Sequence, residues 1–238
     1  MNEEIISNAF SEHEKRFGFA NMDGPTGRIL SSDFIHSIKD IIDFSKVKTV
    51  LDIGSRDACQ SLELARWFPN ATVYAFEANP DALIWVEKNS ALCNRVKVVP
   101  FAVSDVDGEL SFYKVVNGNI GASSLYQVNH SRSFEWKQVE TKVKSIRIDS
   151  WLIENGIEKI DIVWADVQGA ESSVFNGFGK FLSSVDAIAT EVAIEKLYDK
   201  STLKSELDEI LCEFKCISQR AESTNTEVDA VYVNERLI

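Results

Sequence analysis

No stretch of this 238-residue chain stays apolar for the ~18 residues that a membrane-spanning helix needs. Its start, Met1-Asn-Glu-Glu, carries acid where a secretory leader carries base, so a cytoplasmic protein without a membrane span is expected. Cysteine is scarce. Cys59, Cys93, Cys212 and Cys216 form no C-x-x-C pair and are too sparse for a disulfide scaffold, which leaves reduced thiols. Positive charge is in deficit too: 25 Lys and Arg stand against 37 Asp and Glu, for a net charge of −12. That balance lacks the clustered base that phosphate contacts draw on, and it excludes nucleic acid as a partner.

One missing glycine is more informative than any of these. The run Val47-Lys-Thr-Val-Leu-Asp-Ile-Gly54 reads as a buried strand that delivers Asp52 and a glycine turn to a following helix over residues 55–68. Strand, tight turn and helix in that order make the ligand end of an open parallel α/β sheet. A dinucleotide site there needs G-x-G-x-x-G to bring pyrophosphate onto the helix start, yet Gly54 is followed by Ser55-Arg-Asp-Ala-Cys. Pyrophosphate is therefore disfavoured, whereas S-adenosylmethionine has none and one glycine suffices for it. The next strand, Ala71-Thr-Val-Tyr-Ala-Phe76, ends in Glu77, which is placed for ribose hydroxyls in either cofactor. An NAD-dependent oxidoreductase is the rival enzyme reading.

With 45% hydrophobic residues the chain can bury a full core, and its length fits one α/β domain with additions. Residues 1–46 read as an N-terminal helical extension, with helices at 5–16 and 32–44 joined by the Gly/Pro-rich link 23–27. From 47 to 238 strands and helices alternate. Asn79-Pro80 caps a helix to about Ser90, and Val96 to Val99 is the third strand. The run 101–105 with the turn Asp107-Gly108 and the strand 110–115 reads as an inserted hairpin. Strands at 160–165 and 185–190 lead to Asp166 and Glu191, and a long helix with Leu203, Leu207, Ile210, Leu211 and Phe214 on one stripe precedes two final strands. Two successive strands joined by a turn cannot both be parallel, so an antiparallel strand is expected at the sheet edge. The expected fold is a three-layer Rossmann-like sandwich around a mostly parallel seven-stranded sheet, as in class I methyltransferases.

Six motifs then carry a family resemblance. Leu51-Asp-Ile-Gly-Ser, Ala75-Phe-Glu-Ala-Asn-Pro80, Phe101-Ala-Val-Ser-Asp105, Gly121-Ala-Ser-Ser-Leu125, Ile148-Asp-Ser-Trp-Leu152 and Asp161-Ile-Val-Trp-Ala-Asp-Val-Gln-Gly-Ala-Glu171 resemble, in order, the motif series of FkbM-type methyltransferases. The resemblance spans residues 47–195. It implies S-adenosylmethionine as donor and a hydroxyl acceptor, on a sugar, glycan or glycosylated metabolite. It also implies that Asp52, Gly54, Ser55 and Arg56 line the methionine end of the cofactor, that Glu77 takes the ribose, and that Ala78 and Ala102 flank the adenine. Asp166 and Glu191 face the transferred methyl. Trp164 stands where the family often has lysine and Gln168 where it often has glutamate, which keeps a non-catalytic cofactor-binding module as a third reading.

A protonated alcohol is a poor nucleophile, so the acceptor needs a positioned base or a metal that lowers its pKa. Asp166 is the first candidate as base or metal ligand, Glu191 can share either role, and His130 is a further base candidate. Mg²⁺ is a candidate cofactor on the same ground. Ser123 and Ser124, from the family's serine-containing loop, are candidate acceptor contacts, and Tyr198 and Trp136 are candidate stacking platforms for a sugar.

Overall fold

In a computed structural model of the chain, the structure describes residues 28–117, 119–129, 136–221 and 226–238. The expected helix at 5–16, the link 23–27 and His130 lie outside the described residues.

The central sheet has the order β3-β2-β1-β7-β8-β10-β9. Its strands are β1 (Thr49–Ile53), β2 (Thr72–Phe76), β3 (Val96–Val99), β7 (Ile162–Ala165), β8 (Ala187–Ala193), β9 (Phe214–Ala221) and β10 (Glu227–Asn234). The first five of these in sequence pair in parallel, with Leu51 opposite Tyr74 on one side and Val163 on the other. Both faces of these strands are covered, which is why they read as continuous apolar runs. Val50, Val73, Ala75, Ile162 and Ala189 pack toward α1 (Arg28–Ile38), α2 (Cys59–Trp67) and α3 (Pro80–Ser90). Leu51, Ile53, Phe76, Val163 and Ile188 pack toward α4 (Ile148–Asn155), α5 (Glu171–Asn176) and α6 (Lys204–Ile210). Among the described residues no helix is long and apolar enough to cross a membrane.

The chain steps from β1 to β2 and β3 on one side, then crosses to β7 and β8 on the other. The crevice beyond the carboxyl ends of β1 and β7 is thus the topological switch point, where open α/β sheets bind ligands.

Several expected elements are shifted. The helix expected at 32–44 is α1, which starts earlier and stops at Ile38; Phe34, Ile35 and Ile38 are buried in the same core as α2. The strand antiparallel to the rest is β10, one place in from the edge, with β9 outside it. Composition explains the order: β10 is an almost unbroken buried run, while β9 alternates apolar with Lys215, Ser218 and Arg220, which suits an edge. The insertion also pairs differently. β5 (Gly108–Val115) takes β6 (Gln138–Ile146) as its antiparallel partner, from Gly108 opposite Ser145 to Val115 opposite Gln138. The 101–105 run supplies only β4 (Ala102–Val103), parallel to the far side of β6. Asp107 turns no hairpin; its carboxylate accepts from Arg147 N at 2.7 Å and Ser150 Oγ at 2.8 Å. The last long helix shortens to α6, because Phe214 opens β9.

Candidate active site

The turn after β1 is built from its backbone. Gly54 N and Ser55 N both donate to Phe76 O at 3.0 Å, which fastens the turn to the end of β2. Gly54 has φ 84°, and a β-carbon there would lie 1.9 Å from the backbone oxygen of Asp166, so no other residue fits. Arg56 and Ala58 also take the left-handed conformation, which folds the turn back toward β2.

That fold brings Arg56 N to 2.7 Å from Glu77 Oε2, while Asn79 N donates to Oε1 at 2.6 Å. Asn79 in turn caps α3 by accepting from Asp81 N at 3.1 Å, with Pro80 in the first turn. Glu77 is 7% exposed, and burial pushes its pKa up to about 6 against the opposing pull of those amides and the Arg56 charge. Each of its oxygens keeps a lone pair beyond these bonds, enough for a vicinal diol.

Asp52 lies inside β1, not beyond it, with its side chain toward α2. It is 1% exposed. Ser61 Oγ donates to Oδ2, whereas among the described residues Oδ1 has no hydrogen-bond partner. Burial, with repulsion from Asp166, Asp57 and Glu77, pushes its pKa up to about 7 despite the Ser61 bond. Ser55 Oγ, also buried, is likewise without a partner.

Two adjoining cavities meet over the switch point. One is walled by Ala78, Phe101, Ala102, Phe112 and Leu125, with Glu77 at its polar side. The other holds Asp52, Ser55 and Asp57 under Phe34 of α1. Gly54, Arg56, Asp166 and Glu191 border both. The first has the apolar faces and diol acceptor that a nucleoside needs. The second offers an orphaned buried carboxylate oxygen for an ammonium and an orphaned hydroxyl for a carboxylate. Together they suit the two ends of S-adenosylmethionine, a nucleoside and an amino acid. The candidate cofactor residues Asp52, Gly54, Ser55, Arg56, Glu77, Ala78 and Ala102 all line this pair.

At the border, Gln168 Nε2 donates to Asp166 Oδ1 at 2.7 Å and to Glu191 Oε2 at 3.0 Å. Glu191 sits within β8 rather than at its end, opposite Asp229 of β10. The acceptor candidates fare unevenly. Ser124 is 1% exposed and its hydroxyl is spent internally, donating to Gln168 O at 2.8 Å and accepting from Tyr126 N at 3.1 Å. Ser123 borders the nucleoside-side cavity but donates to Ile120 O at 2.6 Å and accepts from Val115 N at 3.0 Å. Tyr198 is 1% exposed, so its ring offers no stacking face; its hydroxyl lies 2.9 Å from Gln168 Oε1 and 3.0 Å from Ala122 O. Trp136 does line the first cavity. Sequence reasoning missed Gln168 as a bridge, Asp57 and Glu227 as lining residues, and Phe112 as a wall. Among the described residues no three His, Cys, Asp or Glu side chains are grouped to hold a metal ion.

The profile of the methyltransferase FkbM domain matches residues 50–217. The 2-O-methyltransferase NoeI of Sinorhizobium fredii is 29% identical over 179 residues, covering 71% of this chain and 73% of that protein. The hexuronic acid methyltransferase AglP of Haloferax volcanii is 28% identical over 150 residues, 59% of this chain and 58% of that one. In fold the chain resembles Aeropyrum pernix fibrillarin crystallised with S-adenosyl-L-methionine, at a TM-score of 0.50 and 9% identity over 84% of this chain and 74% of that one.

Proposed function

Because the chain belongs to the FkbM family of methyltransferases, we propose that it methylates a hydroxyl of a sugar, glycan or glycosylated metabolite, with S-adenosylmethionine as donor. The observation that carries this reading is the pair of cavities that share Asp166 and Glu191 at their border. The names of the two relatives, a 2-O-methyltransferase and a hexuronic acid methyltransferase, support a sugar acceptor. Residues 47–238 form the catalytic domain in this reading, and the preceding stretch is an extension whose α1 closes the second cavity through Phe34. The same proposal includes a cytoplasmic location, and the −12 charge argues against a nucleic-acid partner.

S-Adenosylmethionine supplies a methyl on a positive sulfur, ready for in-line displacement. The chain's part is chiefly alignment and charge. Glu77 takes the ribose hydroxyls, Asp52 and Ser55 the amino-acid end, and Gly54 lets the cofactor pass close to the backbone. Asp166 accepts the acceptor's hydroxyl proton, with Glu191 beside it as second acceptor.

Calorimetric titration with S-adenosylmethionine, S-adenosylhomocysteine and NAD tests the reading, repeated with Glu77→Ala and followed by sugar acceptors with and without Mg²⁺. Both adenosyl ligands should bind and NAD should not. Binding of NAD alone would overturn the reading.

A further inference from the structure

Gln168 holds a backbone conformation that its side chain does not favour. Its φ is 55°, in the left-handed region where a glycine costs nothing and a glutamine is strained. Its surroundings hold it there: Ser124 Oγ fixes its carbonyl, and the buried Tyr198 hydroxyl reaches its side-chain oxygen. The amide orientation is forced by chemistry, since the opposite one would set its oxygen against two carboxylates. Two donors of one nitrogen are thus committed to Asp166 and Glu191.

Those two bonds keep the bridged carboxylate oxygens within about 6 Å of each other, a spacing at which like charges repel unless something bridges them. Both carboxylates border both cavities, at the place where the proposed function puts the sulfonium. We infer that Gln168 is a positioning residue whose amide clamps Asp166 and Glu191 side by side into one acidic face toward the sulfonium. This inference rests on the methyltransferase reading. The face distinguishes the charged donor from its neutral thioether product, so the clamp raises affinity for S-adenosylmethionine relative to S-adenosylhomocysteine.

The test is the ratio of those two affinities, measured by calorimetry on the full chain and on two variants. Gln168→Met keeps the bulk and loses the donors. Gln168→Gly loses the donors but suits the left-handed backbone, so the turn survives in it even where the methionine variant folds poorly. The ratio should fall at least fivefold in both, through weaker binding of the charged ligand. A purely structural role would weaken both ligands alike; a ratio that moves less than fivefold in the folded variants overturns the clamp and leaves the methyltransferase reading standing. Failure of the unmodified protein to bind either ligand overturns both.

Discussion

Gly54 and the backbone oxygen of Asp166 approach so closely that a single methyl group between them would sit 1.9 Å from that oxygen. The turns after β1 and β7 therefore define each other's position, and Asp166 is placed by the absence of a side chain at the end of the neighbouring strand. Gly54→Ala should destabilise the fold by about 3 kcal/mol or more, through both the clash and the positive φ. Urea denaturation reads the loss, and adenosyl-ligand binding should vanish with it.

Glu77→Gln keeps the shape but loses the charge that two backbone amides and, in the proposed function, a ribose diol share. Charge-assisted bonds are worth about 1.5–3 kcal/mol each, so affinity for both adenosyl ligands should fall at least ~10-fold. Equal weakening of the two would place Glu77 on the nucleoside rather than at the sulfur.

Asp166→Asn removes the proposed proton acceptor while keeping the bond to Gln168 within reach. Turnover should fall by about 10²–10⁴, and affinity for S-adenosylhomocysteine, whose sulfur is neutral, should stay within about threefold. Single-turnover kinetics beside calorimetry separates the two effects.

Stability of the ligand-free protein should depend on pH in the direction opposite to ordinary acid denaturation. Asp52, Glu77 and Glu171 are buried, and desolvation raises their pKa values to about 7, about 6 and about 8. A carboxyl whose folded pKa is raised binds more protons folded than unfolded, so stability drops as pH rises from its unfolded value near 4 through the folded one. The melting temperature should fall between pH 5 and pH 8. Asp52→Asn should flatten that slope, and a rising curve in the unmodified protein would contradict the assigned burial.

The sheet was legible wherever strands are buried on both faces, because Val50, Leu51, Ile53 and their counterparts then form unbroken apolar runs. Gly54, Glu77 and the Asn79-Pro80 cap were legible too, since each requirement is local. Ser124 and Tyr198 were not. Their hydroxyls face partners 44 and 30 positions away at Gln168, and serine or tyrosine suits a surface as well as a satisfied interior. The true partner of β5 lay beyond a long excursion, so the nearby 101–105 run stood in for it. Gln168 looked like a lost charge, because a left-handed backbone that swings an amide between two acids leaves no mark in residue order.

The small sheet of β4, β6 and β5 has one more consequence for anyone redesigning this enzyme. Phe112 of β5 and Ala102 of β4 face the nucleoside half of the site, and Ser123 is tied back to Val115 at the end of β5. The insertion is thus a bracket for the donor, although its length and position mark it as the obvious module to exchange. Grafting it from a relative should alter how the adenosyl ligand is held.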